Sequence, residues 1–396
     1  MMLHHLEPLP PDPLLGLTDR FNSDTRDTKV DLGVGMYQNE AGEVPVMRAI
    51  RKAEHRVLDS LTSLAYVGAP GVKAFVTHAP TLVLGNTVSP DRVACLQTIA
   101  GTGALYLIMA LVKRASPDAT LWLPNPTWPN HHQIAEQTGL SVKTYPYYDR
   151  ATHWVTLEAA MDALADAGPN DVVLFHACCH NPTGGDPTVL QWEQLADLAH
   201  TQGFQVLMDT AYLGLGDGLV EDAQSIQIMA NKLPELFVAL SASKSFGIYR
   251  ERVGAAIVVT RDTAIRDIAQ SQMTQIARST YSLAPAHGGA VVGTVLADDA
   301  LYQEWADEIE EMGARLRALR NGLADRLANL TGSDRFDFIR HEKGMFSFLG
   351  ISAAQVDQLI DQFGVYAVSS SRINIGGLRE ANLDYVANAI AQVIAD

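Results

Sequence analysis

Between residues 90 and 260 short apolar runs alternate with amphipathic patterns, and no other feature of the chain constrains its fold as much. Thr120–Leu123, Val142–Tyr145, Asp171–His176, Gln205–Asp209, Leu236–Ser241 and Ala255–Thr260 are short, rich in β-branched residues and bounded by Pro, Gly or Asn, as strands are. Gly103–Arg114, Asn130–Gln137, Leu157–Ala167 and Val189–Gln202 carry their apolar residues at helical spacing. Strands alternating with helices predict an α/β fold, with a mostly parallel sheet covered by helices on both faces. After residue 298 the texture changes: Asp299–Leu330 reads as one long, charge-laced helix. Phe336–Arg340, Met345–Leu349, Val365–Val368 and Arg372–Ile375 read as short strands, and Ala381–Ile394 as a closing helix. This second texture predicts a smaller α+β domain.

A chain of 396 residues suits two domains, or one large and one small. At 47% hydrophobic and 19% charged residues it can bury a sizeable core and is not disordered. Its 45 acidic residues outnumber 29 basic ones, for a net charge of −16. Such a field repels phosphate backbones and anionic lipid, so neither nucleic acid nor a membrane surface is an expected partner. An anionic ligand would need local arginines working against it. Cys95, Cys178 and Cys179 are odd in number and form no CxxC pair, so neither a disulfide framework nor a structural zinc is expected. Met1–Pro13 lacks the basic start and apolar run of a signal peptide, and no apolar stretch is long enough to span a bilayer. The expected location is cytoplasmic.

Ligands of open parallel sheets sit beyond the carboxyl ends of the strands, and the polar residues of this chain gather there. One strand runs into His176 and then Asn181-Pro-Thr-Gly184; the next ends at Asp209, with Tyr212 following; the next runs through Ser241-Ala-Ser243-Lys244. A lysine at a strand end, flanked by small hydroxyls, is partly desolvated, and a lowered pKa is what Schiff-base chemistry needs. A surface loop lysine is the competing reading. Asp209 ends an apolar strand, so a cationic partner such as a pyridinium nitrogen suits it, although a helix N-cap would also explain it. Ala100-Gly101-Thr102-Gly103 opens a strong helix and can present N–H groups to a phosphate, as many ordinary turns also could. Arg252 could clamp a phosphate. An ion pair with Glu251 suits Arg250 better than Arg252. Arg372, leading an apolar strand, could fork a carboxylate, or simply mark an exposed strand end. Trp128 follows a strand in a loop, where it could stack on a ring or cover the core.

Taken together, Asp31-Leu-Gly-Val-Gly35-Met-Tyr37, Gly101-Thr-Gly-Ala104, Asn125-Pro-Thr-Trp-Pro-Asn-His131, His176-Ala-Cys-Cys-His-Asn-Pro-Thr-Gly184, Asp209-Thr-Ala-Tyr212, Ser241-Ala-Ser-Lys244, Arg252-Val-Gly254 and Arg372-Ile-Asn resemble the aspartate/aromatic aminotransferases, class I pyridoxal-phosphate enzymes of fold type I. The motifs run in family order along nearly the whole chain. The resemblance implies a large cofactor-binding domain over 46–300 and a small substrate-closing domain from 1–45 and 301–396. It implies a Schiff base on Lys244, with Asp209 at the pyridine nitrogen, backed by His131 and His176, and Tyr212 and Asn181 at the ring's phenolic oxygen. Ala100, Gly101, Thr102, Ser241, Ser243 and Arg252 would hold the phosphate and Trp128 would cover the ring. Arg372 and the backbone near Gly35 would take the substrate's α-carboxylate. Tyr66 and Arg278 resemble residues that reach across a homodimer, to the neighbour's phosphate and to a side-chain carboxylate. Val44, Ala65, Leu213, Leu215 and Leu283 are apolar where aspartate-selective members tend to differ, which suits an aromatic side chain. The expected activity is transfer of an amino group between an aromatic or acidic amino acid and 2-oxoglutarate or oxaloacetate. Two other readings compete. Ser241-Ala-Ser-Lys244 matches the S-x-x-K nucleophile of serine acyl-enzymes, without their Ser-Asp-Asn or Lys-Thr-Gly partners. A cofactor-binding regulator would need a basic DNA-binding module, which the sequence lacks.

Overall fold

The computed structural model describes residues 2–8 and 13–395. Its centre is a seven-stranded sheet of β1 (Val93–Ile99), β2 (Thr120–Asn125), β3 (Ser141–Pro146), β4 (Val172–His176), β5 (Gln205–Thr210), β6 (Leu236–Ser241) and β7 (Val253–Val259). The order across the sheet is β1-β7-β6-β5-β4-β2-β3. β2 to β6 run parallel, and β7 is antiparallel to both β6 and β1.

Side chains alternate across a strand, so a sheet covered on both faces needs two sets of apolar residues. In β5, Val206 and Met208 pack into one core cluster while Leu207 packs into the other. In β7, Val253, Ala255, Ile257 and Val259 face the first cluster and Ala256 and Val258 the second. Helix Val189–Gln202 shows both end signals: Thr188 closes a capping box with Gln191 at its start, and left-handed Gly203 ends it.

Each strand and helix expected between residues 100 and 260 is present. β1 was not foreseen. It pairs with β7 at the far edge and leads straight into helix Ala100–Ala115, which starts three residues before the expected Gly103.

In the C-terminal part, helix Asp299–Thr331 spans 33 residues. Strand Phe346–Phe348 pairs antiparallel with strand Arg372–Asn374. Val30–Asp31 pairs parallel with Val365–Tyr366, joining the N-terminal segment to this unit. Phe336–Arg340 is not a strand. Phe338–His341 is a short helical turn in which Phe338 and Ile339 are buried, because backbone turns rather than a neighbouring strand take up its N–H groups. No helix among the described residues is long and apolar enough to cross a membrane.

Candidate active site

β4, β5 and β6 are adjacent and parallel, so their carboxyl ends open onto one edge, with His176 in register with Asp209 and Asp209 with Ala239. A cavity of about 150 Å³ lies there. Its lining includes Ala100, Gly101, Thr102, Trp128, His176, Asn181, Asp209, Tyr212, Ser241, Ser243, Lys244 and Arg252. Residues drawn from six separate stretches of sequence thus meet at one point.

The Lys244 amine lies 5.1 Å from the centre of the Tyr212 ring. Burial lowers its pKa to about 8; Asp209 opposes the shift, and Arg252 and Arg372 reinforce it. An amine titrating there is partly unprotonated near neutral pH, as a nucleophile must be. A freely exposed loop lysine would not be.

Asp209 is buried and accepts a hydrogen bond from Nε2 of His131 at 3.0 Å. Burial alone would raise its pKa, but the hydrogen bond from His131 and the nearby Lys244 amine hold the carboxyl below its ordinary value. The other ring nitrogen of His131, Nδ1, hydrogen-bonds the Thr127 hydroxyl at 2.8 Å. Thr127 in turn meets Nε2 of His176 at 3.1 Å. Burial lowers His176 to about 3, so it is neutral. Asp209 therefore stays ionised with one face buttressed and the other toward the cavity. No helix N-cap role is available to it.

Opposite Lys244, the Ala100–Thr102 turn packs under β6 so closely that a Cβ on Gly101 would lie 3.0 Å from Cβ of Ser241. Ala100 and Arg252 both adopt left-handed φ angles, 54° each. The Ala100 amide donates to the Arg252 carbonyl at 3.0 Å. That corrects one expectation: the Ala100 N–H is spent on Arg252, so any phosphate must take N–H groups from Gly101 onward. Arg252 donates to the Ser243 hydroxyl at 3.4 Å and to the Tyr249 carbonyl at 2.9 Å, and pairs with no carboxylate among the described residues. Glu251 pairs with His287 rather than Arg250. A helix start, two serine hydroxyls and an uncompensated guanidinium fit a phosphate.

Arg372 is buried, not an exposed strand end. It donates to the Asn181 side-chain oxygen at 3.3 Å and to the Gly33 carbonyl at 2.7 Å, while its Nε lacks a partner. Its guanidinium lies 4.4 Å from the ring centre of Phe346, a residue the sequence did not single out. Gly35 packs against the same ring, where a Cβ would come within 2.7 Å of it. Thr127 was likewise missed, although it lies inside a quoted motif. Leu213 and Leu215 are core residues rather than lining, since the turn after Tyr212 points both inward. Tyr66 and Arg278 are exposed and outside the cavity.

Cys178, Cys179 and Asp222 also converge, their potential ligand atoms within 4.8 Å of one another. The Asp222 carboxylate, however, already accepts backbone N–H groups from Gly214, Gly216 and Asp217.

The sequence profile of the family described as Aminotransferase class I and II matches residues 27–390. The chain belongs to this family. It is 42% identical to the aromatic-amino-acid aminotransferase of Paracoccus denitrificans, covering 99% of this chain and 100% of that one. It is 40% identical to the aspartate aminotransferase of Escherichia coli K12 over the same shares. Among solved structures, the aromatic-amino-acid aminotransferase of Burkholderia pseudomallei, covalently bound to pyridoxal phosphate, superposes with a TM-score of 0.96 at 40% identity, over 99% of each chain. An aromatic amino acid aminotransferase bound to 3-indolepropionic acid superposes at 0.95 and 42% identity. The cofactor of this aminotransferase is pyridoxal phosphate, and the cavity matches its chemistry: an amine for the aldehyde, a carboxylate for the ring nitrogen and a cradle for the phosphate.

Proposed function

We propose that this aminotransferase moves amino groups between aromatic or acidic L-amino acids and 2-oxoglutarate or oxaloacetate, in two half-reactions with ping-pong order. The observation that carries the reading is that Lys244, Asp209 and Arg252 line one cavity, with Arg372 hydrogen-bonded to Asn181 of its lining and neither arginine paired with a carboxylate among the described residues. When bound, the cofactor supplies an aldehyde for Schiff-base formation and a ring that takes up electrons from the substrate's Cα.

The chain's own groups do the rest. Lys244 holds the cofactor and then, as a free amine, removes and returns the proton at Cα. Asp209, ionised and buttressed by His131, keeps the ring nitrogen protonated. Tyr212 and Asn181 hydrogen-bond the phenolic oxygen, and burial keeps the Tyr212 hydroxyl protonated by raising its pKa. Gly101, Thr102, Ser241, Ser243 and Arg252 hold the phosphate, and Trp128 covers the ring. Arg372 forks the α-carboxylate beside Gly35. The closing domain assigned to 1–45 and 301–396 carries Arg372 and would keep water from the substrate's Cα.

The active unit is a homodimer. Leu58, Leu61, Leu64 and Tyr66 are all at least half exposed in the single chain, and such a run of apolar residues needs a cover. A cleft of about 860 Å³ adjoins the cavity through Thr102 and Arg252 and is lined by Tyr106 and Tyr281. A second copy seated there brings its Tyr66 to the phosphate and its Arg278 to the substrate's side chain. Relatives named for aromatic amino acids and for aspartate lie at nearly equal identity, which supports use of both substrate classes. The test is a donor panel with 2-oxoglutarate as acceptor. Turnover of both phenylalanine and aspartate supports the proposal, and failure of both overturns it.

A further inference from the structure

Arg320 lies on helix Asp299–Thr331, outside every group assigned above, and is 2% exposed. Burying a guanidinium is expensive unless its donors are satisfied and its charge is answered. Here it makes five hydrogen bonds to four backbone carbonyls of one short segment. Its Nη1 donates to Ile339 at 3.2 Å. Its Nε donates to Gly344 at 3.3 Å, and its Nη2 to Lys343, Gly344 and Phe346 at 3.0, 2.9 and 2.6 Å. The nearest carboxylate, Glu342, is 3.7 Å away and is hydrogen-bonded by Tyr148 and Ser347. Arg320 therefore laces a turn together instead of making a simple ion pair.

That turn delivers Phe346. The Phe346 ring lies beneath the Arg372 guanidinium at 4.4 Å, meets the Tyr212 ring edge-on at 5.7 Å and packs against Gly35. The same segment is pinned to the Asn181 loop, because the Lys343 amide donates to the Gly184 carbonyl at 2.7 Å. Gly184 has a φ of 76°, and a Cβ there would strike the Phe346 carbonyl at 2.5 Å. The Phe346 carbonyl thus has Arg320 on one side and the Asn181 loop on the other.

We propose that Arg320 is a positioning residue for substrate binding: by fixing the 343–346 turn it sets the Phe346 ring that orients Arg372 toward the substrate's α-carboxylate. This rests on the assignment of Arg372 to that carboxylate. A lysine at 320 keeps the charge but has one nitrogen in place of a planar fork and cannot reach four carbonyls at once. The turn then loosens while Lys244, Asp209 and the phosphate cradle keep their own contacts.

The test uses the cofactor-loaded enzyme. Arg320→Lys should raise KM for the amino acid and Kd for 3-indolepropionic acid, a carboxylate with no amine to react, by about 10-fold, while kcat stays within about 3-fold. Arg372→Lys should raise the same two constants by about 100-fold or more. A folded Arg320→Lys enzyme with lower melting temperature but unchanged KM and Kd overturns the proposal. If Arg372→Lys also leaves both constants unchanged, the fault lies in the assignment of Arg372 itself. Should Arg320→Lys fail to fold, Phe346→Leu takes its place, since the ring is the proposed link. The same split between KM and kcat supports the proposal, and unchanged carboxylate binding overturns it.

Discussion

Replacing Asp209 by asparagine isolates the charge at the heart of the site. The two side chains have the same shape, and the amide oxygen can still accept from Nε2 of His131, now 3.0 Å from the carboxylate. What is lost is the negative charge facing the cavity. Removing one member of a buried charge pair costs about 3–5 kcal/mol. At about 1.4 kcal/mol per tenfold, that is a fall of roughly 10² to 10⁴ in kcat. A second effect follows from Lys244, whose pKa Asp209 raises against the pull of burial. Without the carboxylate, the Lys244 amine should titrate below its present value of about 8. Turnover is read in a coupled assay, and the amine from the pH dependence of Schiff-base formation when cofactor-free protein takes up pyridoxal phosphate. Turnover within about threefold of the parent, or a Lys244 midpoint that moves upward, would refute the reasoning.

Other consequences are open to direct measurement. Arg278→Ala should cut kcat/KM for aspartate by about 10² or more and change that for phenylalanine by less than about threefold; intact aspartate turnover would remove Arg278 from the site. Burial pushes the Glu342 carboxyl from 4.5 up to about 8, so the folded state holds its proton more tightly than the unfolded chain. The stability this contributes is complete below pH 4.5 and is lost as pH rises through 8. Glu342→Gln should therefore match the parent in stability near pH 4 and exceed it at pH 8, by at most about 5 kcal/mol, in denaturant melts. All three cysteines are buried, and burial pushes the Cys95 thiol up to about 12. A thiol reagent at pH 8 should titrate none in the native protein and all three after unfolding.

The large sheet was legible because its strands, buried on both faces, are continuous apolar runs with sharp Pro, Gly or Asn boundaries. β1 escaped because Gln97 and Thr98 interrupt its apolar run. Both are buried, and Gln97 donates to the Pro285 carbonyl and accepts from the Val72 amide, which no local pattern announces. Phe336–Arg340 misled for the opposite reason: alternating apolar residues suggested a strand, yet the segment lies in a turn that Arg320 reaches through the Ile339 carbonyl. In the site, Lys244, Asp209, Tyr212 and Asn181 could be read because strand ends converge by rule. Phe346 and Arg320 could not, since each acts through packing between segments far apart in sequence. Ala100 was legible as a site residue, but not the loss of its amide to Arg252, which depends on β7 returning antiparallel.

The most direct test traps the bond on which the account rests. Borohydride reduction of the cofactor-loaded protein, followed by proteolysis and mass spectrometry, should place the pyridoxyl group on Lys244 alone, and Lys244→Ala should lose both the visible absorbance of the bound cofactor and turnover. A label on another lysine, or an alanine variant that keeps its colour and its activity, would contradict the account.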